Sequence, residues 1–369
     1  MSLSHLRKKV SKPVVKWYGR YERPISSFSL VGGFIFDALT LKRVDEVWEN
    51  IWVMGHIVLI VIVMFVINRL ENFPGDEKNP EKIHFWLVNT LQFLFGGVLS
   101  VFLIFYFRSA ELSTSWPFIL ILILVFWANE ALKSRFVRLT FQVTILFLSI
   151  FSSMIYFLPV LMHRIGPDVF IYSGLISLGL IAVFLIALSK IGKEKFKKSR
   201  HYIYLSIASI YIVFNFLYFT NLIPPLPLSL EDSGLYSEIV KENGDYLGTH
   251  RYLGLISNIL IYPKVSFSDA GSVYAYSAIF SPAKFDTSII HEWQYYDATN
   301  KSWRNHSAVD LRIVGGRDGG FRTYSNMDNI TLGKWRVNVL TLSRQVIGRI
   351  RFEVVPEILK GEIRTDVLK

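Results

Sequence analysis

Six apolar runs, each about long enough to cross a bilayer, constrain this chain of 369 residues more than any other feature. They are roughly Val53–Leu70, Phe85–Phe107, Pro117–Leu132, Leu139–Leu158, Val169–Ser189 and Ile203–Ile223, and a spanning helix needs about 20 predominantly apolar residues. The lysines and arginines between them sort to two sides only if a weaker segment, Pro24–Leu41, crosses as well. One side then collects the arm from Arg7 to Arg23, the residues Arg69, Lys78 and Lys82, the cluster Lys133–Arg138 and the run Lys190–Arg200. The membrane loops of the other side keep only Lys42, Arg43, Arg108 and Arg164. Basic residues in short loops stay in the cytoplasm. The pattern predicts about seven spans, with the N-terminus inside and a C-terminal domain outside.

Composition agrees: 51% of the residues are hydrophobic and 15% are aromatic, which places the chain in the membrane class. Its formal net charge of +11 resembles a nucleic-acid signal until it is divided along the chain. Residues 1–230 hold nearly all the surplus, whereas residues 231–369 are almost balanced. The excess is read as a topology signal and an attraction to anionic membrane lipids, with no nucleic-acid partner. The absence of cysteine excludes disulfides, thiolate metal sites and a cysteine nucleophile. The basic arm is long, and Phe28–Leu41 lacks a small-x-small cleavage site, so a retained anchor is expected rather than a cleaved signal. Asp37 is expected near the outer end of that anchor, within reach of water.

Five zones follow. Residues 1–23 are a basic cytoplasmic arm and 24–223 a transmembrane helical bundle. Residues 224–270 form a linker and membrane-proximal segment that opens on Ile223-Pro-Pro-Leu-Pro-Leu-Ser229, where proline stops the last helix. Residues 271–356, or 231–356, form an extracytoplasmic β-sandwich, and 357–369 a tail. Strands are predicted at Ser272–Ser281, Ser288–Asp297, Ala308–Val314, Phe321–Ser325, Lys334–Leu342 and Val346–Val355. The last two alternate, with Trp335, Val337 and Val339 on one face of the first and Ile350, Phe352 and Val354 on one face of the second. A Ser343-Arg344-Gln345 turn joins them. A short amphipathic helix is expected at Leu235–Lys241. The fold class is a membrane all-α helical bundle followed by an all-β, immunoglobulin-like sandwich domain.

Taken together, His291-x-Trp293, Trp303, Gly315-Gly-Arg-Asp-Gly-Gly-Phe-Arg322, Gly333-x-Trp335-Arg-Val337 and Val346-Ile-Gly348-Arg-x-x-Phe352 resemble the bacterial domain of unknown function 2914. That domain commonly closes multi-pass membrane proteins. Gly33-Phe-x-x-Asp37-x-x-Thr40-Leu and Ile223-Pro-Pro-x-Pro-Leu228 are similar to the same proteins. The resemblance implies a bacterial inner (plasma) membrane setting with a periplasmic domain. It supplies no reaction, so no catalytic role is carried over.

Candidate ligand-binding residues are Arg317, Arg322, Trp293, His291 and Arg336. A glycine-rich loop with Arg317 and Arg322 can nest an anion, although glycine also serves a plain strand turn. Arg336, Arg349 and Arg351 form a row on one sheet face, with Glu353 and Asp310 as candidate partners. Trp293, Tyr295, Trp303 and Trp335 either form a platform for a sugar or fill the core. His291, His306 and Asp310 lack metal or catalytic spacing, so no catalytic set, metal or cofactor is assigned. Within the bundle Asn215 is expected to bond a neighbouring helix, and Gly96, Gly97, Gly174, Ser177 and Gly179 to permit close helix packing.

The function these features suggest is presentation of a periplasmic β-sandwich that binds an envelope glycan, a lipid headgroup or a protein partner. The alternative is a membrane-embedded lipid or glycan enzyme or carrier, with the sandwich as an accessory.

Overall fold

The computed structural model of the protein describes residues 31–41, 43–72, 80–252, 262–266, 271–315, 319–356 and 361–368. The basic arm 1–23 lies outside them. A short apolar helix, α1, covers Val31–Thr40. Six longer helices follow: α2 (Val47–Asn72), α3 (Pro80–Arg108), α4 (Leu112–Ala131), α5 (Leu139–Met162), α6 (Pro167–Ile191) and α7 (Lys193–Phe219). By length and composition α2 to α7 are apolar enough to cross a membrane. The spans described are therefore six rather than about seven. Of the weak segment Pro24–Leu41, only Val31–Thr40 is described as helix, and its first residues lie outside the described ones.

Helices α3 and α5 bury most of their side chains, Phe95, Phe102, Phe147 and Phe151 among them. In contrast α2, α4 and α7 leave large apolar side chains on the surface, such as Val58, Trp127 and Phe216. Apolar surface on this scale would be a liability in water and is ordinary against lipid. The basic run Lys190–Arg200, placed between two spans by hydropathy, is itself helical. It closes α6 and, after Gly192, forms the first two turns of α7.

The chain forms two compact units. The first holds 1–104, 121–153 and 178–210. In it, Glu71 accepts from Lys195 Nζ at 2.5 Å and meets His84 Nε2 at 3.0 Å, which joins α2, α3 and α7. Gln92 Nε2 donates to Glu130 Oε2 at 2.9 Å, and Thr144 Oγ1 meets Ser206 Oγ at 2.9 Å. A Cβ on Gly97 would sit 3.5 Å from the His56 ring, an ordinary van der Waals contact, and one on Gly179 would meet nothing, so close packing does not require glycine at either position.

The second unit holds 105–120, 154–177 and 211–369. Ser173 Oγ in α6 donates to the Met154 carbonyl in α5 at 3.0 Å, and Ser177 is fully buried. Asn215 differs from expectation: its amide donates to the Tyr211 carbonyl of its own helix at 2.8 Å. A carbonyl one turn back satisfies the amide locally and no second helix is needed.

After α7, residues 223–229 are buried, and Leu228 belongs to the β core. Eleven strands follow among the described residues. They are β1 (Ser229–Tyr236), β2 (Glu238–Glu242), β3 (Asp245–Tyr252), β4 (Lys264–Ser266), β5 (Ser272–Phe280), β6 (Asp286–Asp297), β7 (Ser302–Val314), β8 (Phe321–Asp328), β9 (Gly333–Thr341), β10 (Val346–Val355) and β11 (Glu362–Leu368). All six strands read from the sequence are present. The helix expected at Leu235–Lys241 is instead the end of β1 and most of β2.

Three sheets result, with orders β1-β5-β8, β4-β10-β9-β6-β7 and β11-β3-β2. Among the described residues every pairing is antiparallel except β10 with β4. The five-stranded sheet packs on the β1-β5-β8 sheet through Val273, Ala275, Trp293, Trp335, Val337, Ile350, Phe352 and Val354. The opposite face of β5 sends Tyr276 and Ala278 towards Ile239 of β2 and Leu368 of β11. The middle sheet is thus covered on both sides, which explains why Ser272–Phe280 reads as a nearly continuous apolar run rather than an alternating one. The β10 alternation survives because its other face is polar and half-exposed.

Candidate functional site

The residues singled out from the sequence separate into three places, and Arg317 lies outside the described residues. His291 and Trp293 project from β6 into the gap between the two larger sheets, both 0% exposed. His291 Nδ1 lies 2.9 Å from Ser325 Oγ, and Nε2 lies 2.8 Å from Ser277 Oγ. Trp293 Nε1 donates to the same Ser325 Oγ at 3.0 Å, while Ser277 Oγ meets Thr323 Oγ1 at 3.0 Å.

Each hydroxyl carries one proton, indole only donates, and a neutral imidazole donates once and accepts once. One assignment satisfies every group. Trp293 donates to Ser325, Ser325 to Nδ1, Nε2–H to Ser277, Ser277 to Thr323, and Thr323 to the Ser277 carbonyl at 3.3 Å. Burial holds the imidazole neutral, with its pKa lowered to about 4. A sealed chain of this kind fixes sheet against sheet. It offers no face to a ligand.

Arg322 lies on β8, opposite Ala278 of β5. Its Nη1 donates to the Leu368 carbonyl at 3.0 Å and to Asp245 Oδ1 at 3.2 Å. The guanidinium therefore ties the middle sheet to β3 and β11. In the neighbouring loop a Cβ on Gly315 would come within 1.8 Å of the Pro282 carbonyl oxygen. Gly320 has φ +83° and would meet the Ile279 backbone at 2.9 Å. At these two ends of the glycine-rich stretch, close backbone approach and positive φ dictate the residue.

The third place is the outer face of the five-stranded sheet. Register sets Arg336 opposite both Arg351 and Gln294, and Asn338 opposite both Arg349 and Glu292. Arg349 Nε donates to Asn338 Oδ1 at 2.6 Å, and Arg336 Nε to Gln294 Oε1 at 2.6 Å. The Arg336 guanidinium also stacks on Trp303 at 4.3 Å. Arg344 at the β9–β10 turn pairs with Glu292 at 2.9 Å.

The carboxylate that meets the arginine row is neither Glu353 nor Asp310. It is Glu111, in the connection between α3 and α4. Arg351 Nη2 donates to Glu111 Oε1 at 3.0 Å, and Arg349 Nη1 stands 3.8 Å from Oε2. Ser113 Oγ accepts from both arginines at 2.7 Å and donates to Glu111 at 2.5 Å. Burial alone would raise the Glu111 carboxyl, yet bonds from Ser113 and Arg351 and the two guanidinium charges hold it below its ordinary value. Burial, and after it the charge on Arg349, brings Arg336 down to about 10.

Nothing near Glu111 in sequence points to this contact, because its partners lie about 240 residues away. A separate cleft of about 550 Å³ opens beside β1, β3 and β4, with Tyr236, His250, Arg251, Lys264 and Asp366 on its wall. None of the candidate binding residues read from the sequence lines it. Among the described residues, no group of three or more histidines and carboxylates is placed to hold a metal.

Six helices with the length and composition of membrane spans, followed by a β region whose charged face meets a helix connection, define a multi-span membrane protein of unknown activity. Residues 286–354 match the family described as Protein of unknown function (DUF2914), in the segment where the resemblance had its strongest motifs. No curated protein matches the chain. Among solved structures, a β-glucosidase from Listeria innocua in complex with isofagomine shares 12% identity at TM-score 0.19, over 33% of this chain and 16% of its own length. The alkylpurine DNA glycosylase AlkC of Pseudomonas fluorescens, bound to DNA with an abasic-site analogue, shares 10% identity at TM-score 0.22 over 85% of this chain and 99% of its own. Likeness at this level carries no inference about fold or activity.

Proposed function

We propose that the protein is a bacterial inner-membrane protein of seven crossings, Pro24–Leu41 included, that holds an immunoglobulin-like β region in the periplasm to bind an envelope ligand or partner. The basic arm stays in the cytoplasm. Support for the orientation comes from the division of charge: the Lys133–Arg138 and Lys190–Arg200 clusters fall at one end of the helices, and Arg108 and Arg164 at the other. The immunoglobulin-like reading is supported by strand order. The series β10-β9-β6-β7 corresponds to strands G, F, C and C′, and β1-β5-β8 to A, B and E, with a buried tryptophan, Trp293, on the C strand. The β2–β3 hairpin and β11 are then additions that cover the second face of the middle sheet.

The observation that carries the binding role is the arginine row, only partly neutralised by Glu111 and Glu292. Of the residues proposed for binding, Arg336 keeps that role, while His291, Trp293 and Arg322 serve as scaffold. The topology is tested with a phosphatase that is active only after export. Fused after Leu368 it gives active enzyme, and fused within Lys133–Arg138 it gives inactive enzyme. The reverse result sinks the reading.

A further inference from the structure

We infer that the outer face of the five-stranded sheet, centred on Arg336 with Arg349, Arg351 and Asn338, binds the phosphate of a membrane lipid headgroup. This deepens the reading above by naming the ligand of the same face. It does not depend on which side of the membrane that face occupies.

Charge balance is the first argument. Arg336 and Arg351 stand directly opposite each other on paired strands, and like charges in that position repel. Glu111 answers Arg351 and, at longer range, Arg349; Glu292 answers Arg344. Arg336 has no ion-pair partner among the described residues. Its Nε is used by Gln294 and its plane by Trp303, which leaves both terminal nitrogens without an acceptor among the described residues. Lys334 and Glu353, further along the same two strands, face each other and cancel. The cluster around Arg336 thus holds four guanidinium groups against two carboxylates, an excess of two positive charges; Asp310 and the Arg312–Asp286 pair share the face at its β7 edge and make no bond to the cluster among the described residues. A half-buried guanidinium with its paired N–H groups free matches a phosphate in bidentate geometry.

Position is the second argument, and it chooses between a lipid and a soluble anion. Arg349 and Arg351 bond to Ser113, in the first turn of α4, a helix long and apolar enough to span a membrane. The face therefore stands at the end of the hydrocarbon span, where headgroup phosphates concentrate. Trp116 in the same turn is 58% exposed, as side chains of the interfacial aromatic belt are.

The test is native mass spectrometry of the full chain released from maltoside detergent. The added probe is dioleoylphosphatidylglycerol or, as the phosphate-free counterpart, dioleoylglycerol. Wild type is expected to retain phosphatidylglycerol and not the diacylglycerol. Arg336→Gln is expected to retain at least about fivefold less, the loss of one charge-assisted bidentate contact. Arg312→Gln, on the exposed β7 pair with Asp286, is expected to leave retention unchanged.

A second measurement needs no variant: the wild-type melting temperature rises with phosphatidylglycerol and not with diacylglycerol. Equal retention by wild type and Arg336→Gln overturns the inference. A melting temperature indifferent to the phosphate does the same, as does millimolar inorganic phosphate matching the lipid's effect. Because the lipid is supplied in detergent, a failed lipid result and a failed topology result are separate outcomes.

Discussion

His291 sits in a hydroxyl chain where a second ring proton, on Nδ1, would take from the Ser325 hydroxyl proton the acceptor it now uses, so protonation is the event that breaks the chain. Its folded pKa, about 4, lies below the value of about 6.5 expected for the unfolded chain. As pH falls, the unfolded state takes up this proton first. Stability from this residue is complete above about pH 6.5 and is lost between there and pH 4, by about 3 kcal/mol in all. Thermal melting of the detergent-solubilised protein at pH 7 and pH 5 is expected to show about 2 kcal/mol of that loss, the part that falls between about pH 6.5 and pH 5. His291→Gln is expected to be about 2 kcal/mol less stable at pH 7, because its neighbours lose partners, and to lack this part of the pH dependence. A pH profile shared by both proteins sinks the assignment. Gly315 gives a second prediction at this scale. Gly315→Ala pushes a methyl into the Pro282 carbonyl and is expected to cost at least about 2 kcal/mol, read as a lower melting temperature.

Between elements, the contact that matters most is Glu111 with Arg349 and Arg351, since the three side chains are only 11%, 13% and 22% exposed. Glu111→Gln strands two largely buried cations, at a cost of about 3 kcal/mol. Faster hydrogen exchange is expected at β10 and at residues 112–116, and unaltered exchange at both would refute the coupling. The depressed Glu111 carboxyl acts in the same direction. Its stabilisation is present above the unfolded pKa of about 4.3 and fades as pH falls through the folded value. Elements differed in how far the sequence revealed them. In β9 and β10 a polar outer face against an apolar inner one makes the period of two visible. In contrast β1 carries a register shift between Leu230 and Asp232, and β3 gives up a side chain at Gly248, where the Tyr236 ring sits 2.5 Å from a notional Cβ. Strand β11 is exposed along almost its whole length. The first two have no alternating pattern to read; β11 does alternate, Ile363, Thr365 and Val367 against Glu362, Arg364 and Asp366, but with both faces exposed the alternation does not mark a core strand. Arg336 was legible as part of a charged row, but which members of that row are neutralised was not, because Glu111, the partner of Arg349 and Arg351, comes from another part of the chain.

For the molecule as a whole, the asymmetry of charge predicts how it inserts. Replacing Lys193, Lys195, Lys197, Lys198 and Arg200 together with glutamine removes the strongest cytoplasmic anchor. A smaller fraction of chains should then display the β region outside, seen as reduced digestion by protease added to spheroplasts. An unchanged fraction would shift the decision to the N-terminal arm. The two-sided burial of β5 has a practical corollary for anyone isolating a soluble fragment. The segment recognisable by resemblance, 286–354, runs from β6 to β10 and omits β5. Produced alone, it would turn Trp293 and Trp335 towards solvent and deprive His291 of Ser277. Such a truncation should precipitate or stay molten, whereas a cut made ahead of Leu228 and carried through Leu368 retains both coats of the central layer.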